Sequence, residues 1–471
     1  MSLPVPSHCR DAPWGVSGSE RTARTDRTPR GTSSFSERFR RLGDAPRGVS
    51  TILILLLLVV FTSCARPEAG TVTLELWGLG REGEVVAELL PEFERRNPGV
   101  KVELQQIPFT AAHEKLLTAF VGESTPDLAQ IGNSWIPEFV AIDALEPLDP
   151  WIAASGTVRP ASYFPGIWDT NVIDGTVYGI PWYVDTRLLF YRTDLLAAAG
   201  VSGPPRTWAE FRDTAEKLKA RGGKNHWAIL LPTDEWAQPV ALGLQNGAKL
   251  LAEDGGHGAF EEPEFRRSFD FYLSFFRDGL APAFNNSQIA NIYQQFAAGD
   301  FAMYITGPWN VGEFRRKLPP EVQDRWMTAP LPGPDGPGVS LAGGSSLSIF
   351  RGSKHKREAW KLIEFLSEPA QQVRFYELSG DLPARKEAWN EKALAGDRHV
   401  QAFREQLERV KATPKIPEWE QIATKVYEHA EATIRGRATA DKALAALDRD
   451  VDRILEKRRF LIARKAAEEN E

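Results

Sequence analysis

A chain of 471 residues with a formal charge of −6, 42 % apolar and 25 % charged side chains has the balance of a folded protein and excludes a mostly disordered or collagen-like one. Its length predicts about two to four domain units, enough for two sizeable cores. Two cysteines, Cys9 and Cys64, exclude a disulfide framework, no Cys/His set is spaced for zinc, and the acidic balance speaks against nucleic-acid binding.

The charge is unevenly spread. Residues 1–63 carry nine Lys/Arg and five Asp/Glu, leaving 48 basic and 58 acidic side chains on residues 64–471. Residues 1–37, rich in Ser, Arg, Thr, Gly and Pro and without apolar periodicity, read as disordered. Residues 52–61 (ILILLLLVVF) are unbroken apolar sequence. A bilayer-spanning helix needs about 20 such residues, so this run fits the apolar region of a signal peptide instead, with Arg38, Arg40, Arg41 and Arg47 upstream. Thr62, Ser63 and Cys64 follow, and together with the apolar run they resemble a bacterial lipobox, which implies acylation of Cys64. Phe61 stands where that pattern has Leu. The plainer alternative is a cleaved signal peptide with an incidental cysteine.

After a linker at 64–70 the periodicity changes. Residues 71–77 (TVTLELW) alternate apolar and polar and predict a strand; 84–97 predict an amphipathic helix, broken or kinked at Pro91; 100–107 predict a second strand, 113–121 a helix and 127–131 a third strand. That alternation is an α/β pattern with a largely parallel sheet, whose ligands gather at the carboxyl ends of its strands. Strands follow at 177–181 and 188–192, flanking Trp182, Tyr183, Val184 and Asp185. A helix at 209–221 opens with a Thr207/Glu210 capping box, and then come a strand at 227–231, helices at 264–277 and 289–298 and a strand at 301–305. Gly343, Gly344, Ser345 and Ser346 precede a strand at 347–350, and from Lys354 the chain is mainly helical, ending in a charged amphipathic segment at 440–466.

Five segments in this order, LELWG, PDLAQIGNSWIPEF (126–139), PWYVDTRLLFYRTDLL (181–196), GDFAMYITGPWN (299–310) and LAGGSSLSI (341–349), resemble the family-1 extracellular solute-binding proteins of sugar ABC importers, the maltose-binding-protein class. The resemblance spans essentially all of 70–471. It implies a two-lobed α/β periplasmic-binding-protein fold with discontinuous lobes, 71–184 with 345–384 and 185–344 with 385–471, crossing near 184–187, 339–345 and 380–385. It also implies capture of a sugar by hinge closure, delivery to permease subunits, export, and action as a monomer tethered by lipid on Cys64. No cofactor, metal or nucleic acid is called for.

A sugar site needs flat aromatic faces for the ring C–H surface and polar side chains for its hydroxyls. Of 14 Trp, several sit at or past predicted strand ends: Trp77, Trp135, Trp182, Trp236 and Trp309. By the resemblance, Trp309 and Trp419 match aromatic platforms and Asp185 an acidic hydroxyl acceptor at the hinge; the plain alternatives are core packing and an Asp185–Arg187 salt bridge. Arg81 and Glu82 follow the first strand, where the family carries charged sugar ligands. Asn133 and Ser134 end the third strand, Tyr183 adjoins Trp182, and Asp234, Glu235 and Trp236 form an acidic–aromatic cluster. Gly344 and Ser345 can bring backbone N–H groups close to a ligand, and Arg385 is a weaker candidate. The same residue types would serve a secreted glycoside hydrolase using Asp185 with Asp234 or Glu235. A glycerol phosphate or a polyamine is an alternative solute for a binding protein.

Overall fold

Runs rich in β-branched and aromatic residues become ten strands of two sheets. They are β1 (Val72–Leu79), β2 (Val100–Ile107), β3 (Leu128–Gly132), β4 (Ile180–Asp185), β5 (Leu188–Arg192), β6 (Trp227–Leu230), β7 (Phe301–Thr306), β8 (Trp326–Ala329), β9 (Gly343–Ile349) and β10 (Leu382–Pro383). This computed structural model describes residues 70–224 and 226–468; the apolar run, Cys9 and Cys64 lie outside the described residues. The six-stranded sheet has the order β10-β4-β9-β3-β1-β2 and the four-stranded sheet the order β8-β5-β7-β6. The expected parallel character holds only for β2, β1 and β3: β9 runs antiparallel to β3 and β4, and β10 antiparallel to β4. The larger sheet is therefore mixed, because β9 enters it on the chain's return from the smaller one.

Several local expectations shift for identifiable reasons. Pro91 does break the first predicted helix: one helix spans Gly80–Val86, and a second, Leu90–Arg96, carries Pro91 in its first turn, where a missing N–H costs nothing. Trp182 to Asp185 lie inside β4 rather than in a connecting loop, because β4 is paired on both sides, by β9 and by β10. Pro181, which cannot donate to a ladder, sits where the β4–β9 register shifts between Ser345 and Ser346. Gly343 to Ser346 belong to β9 itself. The Thr207/Glu210 capping box forms as expected, with Glu210 N–H donating to Thr207 Oγ1 at 3.1 Å.

Side-chain alternation along β5 builds two cores from one strand. Leu188 and Phe190 face a cluster that also takes Leu74, Leu76, Trp182 and Leu347 of the larger sheet, Trp326 of the smaller one and Phe314 of the helix beside it. Leu189 and Tyr191 face the other way, onto Phe211, Phe265, Trp419, Leu444 and Leu447. The largest apolar cluster is thus continuous between the two sheets. The chain leaves the larger sheet after Asp185, builds the smaller one from β5 to β8, and returns at Gly343, which pairs with Asp185. Helices Trp419–Ile434 and Ala440–Ile454 then cover the second cluster. Among the described residues no helix is long and apolar enough to cross a membrane.

Candidate functional site

A cavity of about 700 Å³ opens where the strand ends of both sheets meet. The larger sheet supplies Gly80, Arg81 and Glu82 after β1, Asn133 and Ser134 after β3, and Tyr183 and Asp185 from β4. The other side supplies Trp236 and the helix Trp309–Lys317, and the returning chain supplies 341–344.

Local backbone chemistry places these groups. A Cβ at Gly78 would come within 2.7 Å of Gly83 Cα, so glycine at both positions lets the helix Gly80–Val86 start hard against the end of β1, aiming Glu82 into the cavity. Gly344 has φ +121°, and a Cβ there would lie 2.2 Å from the Tyr183 carbonyl oxygen; only glycine lets β9 approach β4 at the cavity wall. Pro308 precedes the first helical residue, Trp309, which is 37 % exposed, the most open Trp among the described residues.

Hydroxyls hold three acids of the cavity wall, Asp381 buried and Glu82 and Glu420 half-buried. Gln130 Nε2 donates to the Tyr183 hydroxyl oxygen at 3.3 Å and Ser345 Oγ donates to it at 3.0 Å, while Tyr183 hydrogen-bonds the Glu82 carboxyl. Burial, reinforced by Asp185 and Glu84, pushes the Glu82 carboxyl above its usual range. Asp381, 3 % exposed, is pushed well above it by burial and by Glu82 and Asp185, with Ser379 as its hydroxyl partner. Glu420 is likewise raised by burial and by Glu138, against a hydrogen bond from Ser134. None of these three carboxyls forms an ion pair among the described residues. Asn133 accepts from Ser346 Oγ at 2.8 Å through Oδ1, and its buried Nδ2 has no partner among the described residues. No cluster of His, Cys, Asp and Glu among the described residues is arranged to hold a metal ion.

The cavity brings together nine of the sequence candidates, Arg81, Glu82, Asn133, Ser134, Tyr183, Asp185, Trp236, Trp309 and Gly344, and leaves out five. Trp77 is buried in a separate cluster, with the Lys115 ammonium 4.9 Å from its ring centroid. Trp182 packs on Phe375 at 4.4 Å, on the opposite face of β4 from the cavity, as strand alternation requires. Ser345 reaches the cavity only through Tyr183. Glu235 and Asp234 both accept from Asn286 Nδ2, at 3.3 and 3.0 Å, and neither lines the cavity that Asp185 lines. Trp419 is fully buried and meets Trp236 edge-on at 5.5 Å, supporting it from behind. Arg385 is also structural: it donates to the carbonyls of Thr157 and Ser367 at 3.0 and 2.9 Å.

Asp185 lines the cavity already paired. Arg187 Nη1 donates to both of its carboxylate oxygens at 2.7 Å, and the same guanidinium lies 4.8 Å from the Trp309 ring centroid. Trp135, one of the strand-end tryptophans of the sequence, also lines the cavity, whereas Phe109, Tyr293, Asp381 and Glu420 line it without a sequence signal that singled them out. Glu420 could have been found from Trp419: one helical step turns the next side chain by about 100°, so a buried Trp419 points Glu420 to the cavity.

The raised carboxyls carry a pH prediction. A sugar hydroxyl donating to Glu82 or Asp381 favours the ionised form, so binding releases protons and affinity falls as pH drops through the raised values, above the ordinary 4.5 and 3.8. Titrations between about pH 8 and pH 4.5 should show weakening on acidification that Glu82→Gln and Asp381→Asn move or remove. A flat profile would take both carboxyls out of ligand binding.

Comparison with known proteins agrees with this geometry. The model of the bacterial extracellular solute-binding protein family matches residues 77–373. The structure resembles that of the sugar-binding protein MalE of Xanthomonas citri, at 49 % identity and a TM-score of 0.80, covering 83 % of this chain and 99 % of that one. The chain belongs to the bacterial extracellular solute-binding protein family.

Other relatives are more distant in sequence and match somewhat less of the chain. The diacetylchitobiose-binding protein DasA of Streptomyces coelicolor is 27 % identical over 365 residues, 76 % of this chain and 83 % of its own length. An uncharacterised lipoprotein of Streptomyces antibioticus is 30 % identical over 403 residues, 80 % of this chain and 86 % of its own length. For a solute-binding protein, a cavity fed by both sheets is the expected place for the solute, and the family is one of exported proteins.

Proposed function

We propose that this protein is the substrate-binding component of an ABC importer that captures a neutral sugar, a di- or oligosaccharide, and delivers it unchanged to membrane permease subunits. One observation carries the reading: a single cavity combines the open indole of Trp309 with the buried Asp381 and the half-buried Glu82 and Glu420, carboxyls that have hydroxyl partners and form no ion pair among the described residues. Aromatic faces cover ring C–H surface, and hydroxyls satisfy acceptors that would otherwise stay stranded. The sugar-binding names of MalE and DasA support the same ligand class.

In this reading the segments 71–184 with 345–384 and 185–344 with 385–471 act as two lobes. A ligand that touches both favours the closed arrangement by its differential affinity for it. The protein works as a monomer and no bond is made or broken.

A thermal-shift screen of the purified chain against maltose, diacetylchitobiose, galactooligosaccharides and D-tagatose tests the reading, since a ligand bound only by the folded state raises its melting temperature. A sugar of the fitting class should raise it by several degrees and be recovered intact. No shift with any sugar, or a cleaved product, ends the proposal.

Anchoring by lipid on Cys64 is the second part of the proposal, supported by the lipobox-like sequence and by the lipoprotein relative. Cys64→Ser should abolish incorporation of labelled fatty acid and leave an unprocessed precursor. Undiminished labelling would reject the anchor.

A further inference from the structure

The link between β4 and β5 consists of Thr186 and Arg187, and the second of these is pinned from both sides. Its N–H donates to Ser340 Oγ at 3.0 Å, and Ser340 Oγ donates to its carbonyl at 2.9 Å; Ser340 is fully buried. The side chain is 16 % exposed and lines the cavity. Nη1 is consumed by Asp185, at 2.7 Å from each carboxylate oxygen, and the guanidinium carbon lies over the Trp309 ring, 4.8 Å from its centroid. Nε and Nη2 have no hydrogen-bond partner among the described residues. Three N–H donors are therefore left over on a rigid planar fork at the cavity wall.

We infer that Arg187 is a ligand-binding, specificity-determining residue, donating from Nε and Nη2 to oxygens of an uncharged sugar seated against Trp309, and that Asp185 acts as its positioning residue. The inference rests on the sugar reading above and reassigns Asp185, which the sequence offers as a direct hydroxyl acceptor.

The distribution of donors and acceptors favours it. Glu82, Asp381 and Glu420 chiefly accept, whereas a guanidinium only donates. A hydroxyl can do both, so a polyol lying between the two kinds of group satisfies each. The charge balance selects against anions. Asp185 already neutralises Arg187, and Glu235 adds negative potential beside it; a phosphorylated sugar would displace an internal pair or meet repulsion. Removing the Asp185 charge should reverse that preference.

Calorimetric titration of the full chain with the panel sugar giving the largest shift, with glucose 6-phosphate and with inorganic phosphate tests the assignment. Arg187→Gln should weaken the sugar by about 10- to 100-fold. Arg187→Lys, which keeps the charge but not the fork, should recover only part of it. Asp185→Asn should weaken the sugar and gain measurable binding of glucose 6-phosphate, a gain that a merely structural loss does not produce.

Sugar affinity at the wild-type level in folded Arg187→Gln or Arg187→Lys overturns the assignment. So does a loss confined to Asp185→Asn with no gain of anion binding, which would restore Asp185 as the direct acceptor. If no panel sugar binds the wild type, the sugar reading fails by itself. Inorganic phosphate on Asp185→Asn then decides whether the Arg187 donors are open to a ligand: binding supports the assignment and no binding overturns it.

Discussion

Trp309→Ala is expected to weaken sugar binding by about 30-fold or more, of order 2 kcal/mol, and to erase most of the sugar-induced thermal shift while the ligand-free protein melts near the wild-type temperature. The two outcomes separate because the indole is 37 % exposed at the start of its helix and contributes little to either main core. Its orientation depends on Gly307: a Cβ there would fall 1.8 Å from the Trp309 ring, a distance no ring tolerates. Gly307→Ala should therefore turn the indole away and reproduce much of the binding loss with the tryptophan still present. An undiminished sugar shift in Trp309→Ala would remove the indole from the site, and wild-type affinity in Gly307→Ala would show that its orientation is immaterial.

Trp419→Ala should have the largest effect on stability, about 3–5 kcal/mol, because a fully buried indole leaves a void its neighbours fill only in part. Trp419 packs with Ile422, Ala423 and Leu444 in the second core and braces Trp236 edge-on. The melting temperature should fall by several degrees, with sugar affinity falling modestly through the loosened Trp236. Trp419→Phe should restore most of the stability and the affinity. Were Trp419→Ala to melt normally yet bind no sugar, Trp419 would be a contact residue, as the sequence resemblance first implied.

Strands, capping box and proline break were legible because they follow from local periodicity and backbone chemistry; so was the grouping of Glu82, Asn133, Ser134, Asp185, Trp236 and Trp309 near strand ends. Two kinds of information were not. One is which face of an element turns inward: Trp77 and Trp182 sit beside cavity residues in sequence but point to apolar clusters, and Glu420 rather than Trp419 reaches the cavity. The other is who satisfies whom. An Asp two residues before an Arg is compatible with a surface pair, a ligand acceptor or a braced guanidinium, and only the 2.7 Å contacts and the neighbouring indole distinguish them. Asp381 carried no periodic signal, since it follows the helix-ending Gly380, at φ +88°, in a turn that buries it near enough to Glu82 to feel its charge.

The shortness of the Thr186–Arg187 link limits how the two sheets can part. From Asp185 to Leu188 a fully stretched backbone spans only about 11 Å, and the returning strand ties Gly343 to Asp185 at the same place. If the sheets part as the two-lobe proposal above requires, they swing about this point rather than slide past it, like a jaw whose pivot is the Asp185–Arg187 pair. Groups near a pivot travel least: Trp236 and Asn133, on opposite jaws, would separate widely, whereas the braced guanidinium would face an arriving guest in almost the same attitude before and after the bite.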